Sequence, residues 1–382
     1  MDRKIAILFM PDDMTLTKEK TPLMLQPIMF CPVLTWMYAE LMGLGIERFF
    51  VVSDVRAHEG MRPYAPAGAD VTYVDGAKHA QQLQKLLRGA EDRVVIVNGA
   101  VLPVGVFSGG AVYSAGAKEC CEVLREHGAF AAFPKGAEIM KGFLPVGDEE
   151  ELRAAQPMCR QKILEKHFAN GVNILDANAT YIDPRVEIGS GTLILPGTIL
   201  KGNTVIGKNC TIGPNAVVSS CTVGDETEIN ASQTNDSVIG SHTTVGPFAY
   251  VRPNSRIGDH VKVGDFVEIK NSVIGSGTKI SHLTYVGDSD CGERVNFGCG
   301  TVTTNYDGFE KFRCTIGDDA FIGCNTNLIA PVRVGSGSYI AAGSTVTDEV
   351  PEGALAIARA RQVNKDSWAE KRRRLHEKSK RN

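Results

Sequence analysis

The chain has 382 residues, enough for two domains, and a formal net charge of -3 at pH 7. That near balance excludes a bulk attraction to nucleic acid or to an anionic membrane surface, and no apolar run is long enough to span a bilayer. Gly is abundant at 40 residues and aromatics are scarce at 7%, which suits a narrow core of Ile and Val with many tight bends.

Residues 1 to about 150 read as an α/β domain. The first apolar run, Ile5 to Met10, leads into Pro11-Asp12-Asp13 rather than a small-residue cleavage site. It therefore reads as a buried strand and not as a signal peptide. Phe49 to Val52 and Val94 to Val97 look like further buried parallel strands, with helical patterns over Pro32 to Leu44 and His79 to Leu87. Strands alternating with helices imply a Rossmann-like sheet covered on both faces. A polar helix around Glu149 to Phe168 is expected to link this domain to the rest, as a linker over 151–173. The 10 Cys are scattered without a C-x-x-C pair. This is the usage of a reduced, cytoplasmic protein in which thiols serve as small buried hydrophobes.

From about 174 to 350 an aliphatic residue returns every six positions. One run is Ile182, Ile188, Ile194, Leu200, Ile206, Ile212 and Val218; a second is Ile239, Val245, Val251, Ile257, Val263 and Ile269; a third is Ile316, Ile322, Leu328, Val334, Ile340 and Val346. A period of six fits neither an α-helix nor an alternating strand. It is the signature of a left-handed parallel β-helix, in which each hexapeptide forms one flat side of a triangular coil. The phase slips near Cys221 and between Ile269 and Ile274, and breaks over Thr303 to Thr315, which is expected to loop out of the prism. Loops extruded from a rigid solenoid are where binding residues gather. Beyond 350 lies a segment ending in a basic tail with Lys371, Arg372, Arg373, Arg374, Lys378, Lys380 and Arg381, which reads as a solvated end or as a contact for an anionic ligand or neighbouring subunit.

Around the break the sequence stops looking like scaffold. Ser281-His282-Leu283-Thr284-Tyr285 puts a His and a Tyr on one coil, and Asn296, Cys299, Asn305, Tyr306 and Lys311 follow. Arg252 and Lys270 are one coil apart and should stack on the same face. Two stacked cations are unfavourable unless an anion sits between them, which points to a phosphate or carboxylate site. His282 suits general-base chemistry, because a neutral imidazole with pKa about 6.5 accepts a proton near pH 7. Zinc is the competing use of His on such a prism. Only His242, His260 and His282 occur in the repeats, without an H-x4-H pair, so no catalytic metal is expected.

The stretch from about 246 to 362 resembles the acetyltransferase domain of the bacterial bifunctional N-acetylglucosamine-1-phosphate uridyltransferase / glucosamine-1-phosphate acetyltransferase family. The matching strings are Val-Arg-Pro at 251–253, Phe-Val-Glu-Ile-Lys at 266–270, His-Leu-Thr-Tyr-Val-Gly-Asp at 282–288, Asn-Tyr-Asp-Gly at 305–308, Ile-Ala-Ala-Gly-Ser-Thr-Val-Thr at 340–347 and Leu-Ala-Ile-Ala-Arg at 355–359. The resemblance implies that His282 is the general base on a sugar amine. It implies that Arg252, Lys270 and Lys311 hold the sugar phosphate with Tyr285 beside it. Asn296 and Asn305 would orient the sugar, with Asn305 also on the acetyl-CoA side, where Tyr306 flanks the acetyl group. Cys299, Cys324, Ala342 and Arg359 would line the acetyl-CoA site, Arg359 near a CoA phosphate. Cys299 and Cys324 stand where the family usually has Ala and Ser, so adjusted CoA contacts are expected. The resemblance also implies a homotrimer, since the family's sites lie between subunits.

The first domain resembles a nucleotidyltransferase, through its order and Lys20-Thr21-Pro22-Leu23, but departs where the chemistry sits. That family opens with a Gly-rich loop ending in Gly-x-Gly-Thr-Arg-Met, whereas Met10 to Met24 contains neither Gly nor Arg. The family's metal-binding Asp lies in Gly-Asp-Val-Pro; here Gly99-Ala100-Val101-Leu102-Pro103 occupies the place, and Mg²⁺ lacks a carboxylate. The expectation is a degenerate domain, inactive in nucleotidyl transfer and without Mg²⁺. Two alternatives stand beside the acetyltransferase: a bifunctional enzyme that also makes UDP-N-acetylglucosamine, and a silent sugar-nucleotide-binding regulatory protein.

Overall fold

The computed structural model describes residues 4–10, 21–88, 93–105, 110–130 and 132–380. The chain divides into two compact units, Met1–Asn235 and Asp236–Asn382, so the division falls within the repeats.

The first unit opens with an α/β layer. Its strands are β1 (Lys4–Phe9), β2 (Ile46–Ser53), β3 (Asp70–Asp75), β4 (Arg93–Asn98), β5 (Val112–Gly116) and β6 (Glu138–Ile139). They form one sheet in the order β3-β2-β1-β4-β5-β6. The three strands anticipated from sequence lie side by side and parallel, with β2 and β4 flanking β1. The sheet is mixed at one edge, where β5 pairs antiparallel with β4 and β6 antiparallel with β5. Ile7, Phe50, Ile96, Leu83, Leu124 and Phe130 share one buried cluster. The ring of Phe130 meets Phe9 edge-on at 5.6 Å, a geometry aromatic quadrupoles favour.

The anticipated helices are present as α1 (Val33–Gly43) and α2 (His79–Leu86), joined by Ala117–His127, which the sequence reading passed over. The polar helix runs over Glu149–Ala169. Asp148 caps it by accepting from the backbone N–H of Glu150 and Glu151, and three Glu in the first turn suit the helix dipole. Its buried side is Leu152, Ala155, Cys159, Ile163, Leu164 and His167.

Both units contain coils of short parallel strands. In the first unit Ile182 pairs with Leu200, Ile188 with Ile206 and Ile194 with Ile212. In the second, Val251 pairs with Ile269, Ile269 with Val286 and Ile322 with Ile340. Nearly every aliphatic residue of the six-residue period points inward and is fully buried. The phase slips are coils shortened to 17 residues, as in Val205 with Thr222 and Arg256 with Val273. The large break is a coil of 25 residues, Asn296 pairing with Phe321. A loop of seven extra residues therefore leaves the prism between Val302–Thr304 and Cys314–Ile316.

Corners are sealed by buried hydroxyls. Thr198 donates to the Leu195 carbonyl at 2.7 Å, Ser255 to that of Arg252 at 2.8 Å and Thr326 to that of Gly323 at 2.6 Å. Buried polar groups need such partners. The basic tail forms an α-helix, Trp368–Ser379, with no buried residue.

Candidate active site

Two features of the second unit place the functional side chains. The first is a corner ladder. Asp265 and His282 occupy the same position on adjacent coils, as direct register partners. Register continues from Phe297–Ile322 and from Ile322–Ile340, so His282, Cys299, Cys324 and Ala342 follow one another up that corner. Arg359 reaches the ladder from the coil beyond, donating from Nε to the Ala342 carbonyl at 2.9 Å.

His282 Nδ1 lies 2.6 Å from Asp265 Oδ1. The Asp265 carboxyl is held below its usual range, first by the imidazole and then by a backbone N–H, so it is ionised at neutral pH and can only accept. Nδ1 must then carry the proton in neutral His282, leaving the Nε2 lone pair for a base.

The second feature is a charge cluster on the flat side that follows this corner. Arg252 Nη1 donates to Glu268 Oε1 at 2.7 Å. Lys270 Nζ lies 3.9 Å from Asp288 Oδ2 and belongs to a half-buried side chain. Asp288 is nearly buried and accepts from the side-chain amides of Asn271 and Asn305. Burial alone would raise its carboxyl, but those amides and the Lys270 and Lys311 ammoniums outweigh it and hold the group below the usual range. Tyr285 pairs with Glu268 across the coils, and its hydroxyl lies 3.5 Å from Asn305 Nδ2. The extruded loop closes the cluster. Tyr306 and Lys311 form a bridge across its neck, and Asp307 Oδ1 accepts from the N–H groups of Phe309 and Glu310, both at 2.8 Å.

Arg252 and Lys270, expected to stack one coil apart, are not left without counter-charge inside the protein. Each has a carboxylate of its own, in Glu268 and Asp288. Even so, three cations meet two carboxylates. The Lys270 ammonium is pushed below its usual range, first by the Lys311 side chain, then by burial, while Asp288 opposes and the Arg252 charge adds to the effect. A lysine that gives up its proton more readily marks surplus positive potential, which a bound anion would neutralise.

The structure thus gathers Arg252, Lys270, Tyr285, Asn305 and Lys311 in one cluster, and His282, Cys299, Cys324, Ala342 and Arg359 along one corner. Asn296 stands apart, on the flat side that precedes the corner, between Lys279 and Phe321. Tyr306 is exposed on the loop and donates to the Gly308 carbonyl at 2.6 Å. Sequence reasoning assigned no role to Asp265, Glu268 or Asp288. The one signal in the sequence is the shortened coil, whose spacing allows Asp265 under His282 but does not show that the two side chains meet.

His242 and His260 stack with ring centroids 4.8 Å apart and planes 3° from parallel, as their one-coil spacing implied. Among the described residues no group of three or more His, Cys, Asp or Glu is arranged to hold a metal ion, and no helix is long and apolar enough to cross a membrane. In the first unit Gly99 has φ +90° and carries the chain from β4 into Ala100–Leu102, where Ala100 is buried. The segment expected to replace the Gly-rich loop falls largely outside the described residues, as do Asp12, Asp13 and Lys20.

Comparison with known proteins agrees with this architecture. The family model described as "Bacterial transferase hexapeptide (six repeats)" matches residues 185–220, 236–271 and 313–348. The "Bifunctional protein GlmU" of Clostridium perfringens (strain SM101 / Type A) is 59% identical over 230 residues, which are 60% of this chain and 51% of that protein. Its namesake in Clostridium kluyveri (strain ATCC 8527 / DSM 555 / NBRC 12016 / NCIMB 10680 / K1) is 51% identical over 252 residues, 66% of this chain and 55% of the relative. That of Geobacillus sp. (strain WCH70) is 50% identical over 250 residues, 65% and 54% of the two chains. The chain spans about half the length of the curated relatives it matches.

The tautomer of His282 is open to direct measurement. In ¹⁵N NMR at pH above the imidazole titration, His282 should be in the Nδ1–H form, and Asp265→Asn should mix the tautomers. An unchanged signal in the variant would show that the carboxylate does not set the proton's place. Because the folded-state pKa of Asp265 is depressed, its contribution is present above the unfolded value of about 3.9 and is lost as pH falls through the lower folded value. The His282–Asp265 contact should therefore persist from neutral pH down to roughly 4.

Proposed function

We propose that this protein transfers the acetyl group of acetyl-CoA to the amine of glucosamine 1-phosphate, giving N-acetylglucosamine 1-phosphate for cell-envelope precursors. The observation that carries the reading is an Asp-oriented histidine at the corner next to a cluster with surplus positive charge. His282 Nε2 takes the proton of the attacking amine, the amine nitrogen adds to the thioester carbonyl, and the CoA thiolate leaves. General-base catalysis of this kind is worth about 10²–10⁴-fold. Arg252, Lys270 and Lys311 bind the sugar phosphate with Tyr285 beside it, and Asn305 orients the sugar. Acetyl-CoA lies along the corner, against Cys299, Cys324, Ala342 and Arg359, with Tyr306 flanking the acetyl group. Similarity to relatives named GlmU over most of the chain supports this reading.

The active form is a homotrimer. Asn296 lies off the flat side that carries the phosphate cluster, and in a trimer it meets the sugar held by a neighbouring subunit. The stacked, exposed rings of Phe248 and Phe266, 5.5 Å apart, supply apolar surface for such packing. Residues 1–150 act as a separate, degenerate module and 174–350 as the acetyltransferase. The relatives' printed name favours a second reading, a bifunctional enzyme. Against it stand Ala100 in place of the family's metal-binding Asp and the missing Gly-rich loop.

Purified protein should acetylate glucosamine 1-phosphate, and His282→Ala should lower kcat by roughly 10²-fold or more while CoA still binds. Unchanged turnover would remove His282 from its role. Lys270→Ala should penalise glucosamine 1-phosphate far more than glucosamine, by roughly 1.5–3 kcal/mol for a lost charge-assisted contact. An equal loss on both substrates would mean that Lys270 does not read the phosphate. With UTP, N-acetylglucosamine 1-phosphate and Mg²⁺ no pyrophosphate should appear in a preparation that transfers acetyl groups. Mg²⁺-dependent release would establish the bifunctional reading.

A further inference from the structure

Of the ten cysteines, Cys31, Cys120, Cys159, Cys210, Cys221, Cys291 and Cys314 are buried, Cys121 and Cys299 are half-buried, and Cys324 is exposed. Cys299 and Cys324 are set apart by their placement. They occupy the same rung position on adjacent coils, fixed by the Phe297–Ile322 register and by the Asn325 N–H bonding to the Cys299 carbonyl at 2.8 Å. Adjacent parallel strands lie about 4.8 Å apart, within the Cα separation of about 4.4–6.8 Å that a disulfide spans. Both thiols sit at a corner, where the chain has left one strand and not yet entered the next.

We propose that Cys299 and Cys324 form a reversible disulfide across adjacent coils by exchange with a low-molecular-weight disulfide. The exposed thiol reacts first. Cys324 thiolate attacks one sulfur of the small disulfide, RS–SR, forming a mixed disulfide and releasing RS⁻. Cys299 thiolate then attacks the Cys324 sulfur, forming the coil-to-coil bond and releasing the second RS⁻. The two protein thiols lose two electrons to the small disulfide, and their two protons end on two molecules of RSH. The rung before Cys299 carries His282, whose Nε2 is free of the Asp265 contact and serves as a base for the resolving thiol. The buried Cys314 is the internal contrast: burial pushes its thiol up to about 11, which keeps it protonated and inert at neutral pH.

The consequence for activity rests on the proposed function, because the bridge would stiffen the wall assigned to acetyl-CoA beside the catalytic base. The bridge itself is read independently of activity. The native protein is treated with glutathione disulfide and its intact mass is measured under non-reducing conditions. A species lighter by two hydrogens, reversed by dithiothreitol, is expected in the wild type and absent from both Cys299→Ser and Cys324→Ser. Acetyl transfer by the wild type should be lost on treatment and return on reduction. Cys324→Ser should keep its own untreated rate through the same treatment. Stable glutathione adducts without the bridge, or a bridge that survives in Cys324→Ser, would overturn the proposal. A bridge that forms in a protein without acetyl transfer would uphold it and refute the proposed function instead.

Discussion

Parallel register between successive coils is the constraint on which everything else in the repeats depends. Each inward aliphatic residue is buried only if the coil above places its counterpart directly over it, as Ile269 sits between Val251 and Val286. A single-residue slip on one flat side would turn the buried row outward. The backbone hydrogen bonds enforce the same alignment, because each rung donates to the next. Whatever a corner or flat side carries is therefore copied, coil by coil, into a straight ladder. This is how residues 17 or 25 apart in the chain, such as Asp265 with His282 and Cys299 with Cys324, become neighbours.

The candidate site lies where the repeat is locally relaxed. Shortening a coil to 17 residues keeps the register and changes the corner, and Asp265 and His282 meet across such a coil. Both are followed by residues with positive φ, Phe266 at 56° and Leu283 at 43°. Bulky residues rarely adopt that conformation, and its cost of order 1–3 kcal/mol persists only where the surroundings over-determine it. Here the coils on either side do so. The extruded loop is the other relaxation. Its bridge between Tyr306 and Lys311 brings a third cation to two already paired ones, and its Asn305 donates to Asp288, tying loop to coil. Rigid rungs supply position and the loop supplies the group that unbalances the charge.

The first unit shows the opposite relation between fold and chemistry. Its sheet is well packed, with Ile7, Phe50 and Ile96 fully buried, and the strand end after β4 carries the apolar Ala100. A core is stabilised by apolar burial over many residues, and replacing one acidic side chain at a strand end removes little of it. The packing of this sheet therefore places little demand on which side chain stands at that strand end.

The sequence by itself determined the β-helix, because a narrow prism admits an inward aliphatic residue only at every sixth position, and that period is visible in one dimension. It located the extruded loop for the same reason, since a stretch that breaks the period cannot lie flat. It named His282, Arg252 and Lys270 through their types and their matching strings, and Lys311 through the resemblance those strings carry. Only the tertiary structure decided their partners. Carboxylates are common in any sequence, and nothing in the types of Asp265, Glu268 and Asp288 separates them from the solvated acids nearby. Their roles come from coil register and from burial, which set 2.6 Å between Asp265 and His282 and hold Asp288 among two amides and two ammoniums. The antiparallel edge of the first sheet was likewise settled by packing, because β5 and β6 are short and their pairing direction is not encoded in their composition. Periodicity is a local property and survives projection onto the chain; hydrogen-bond partnership between coils is a relation in space and does not.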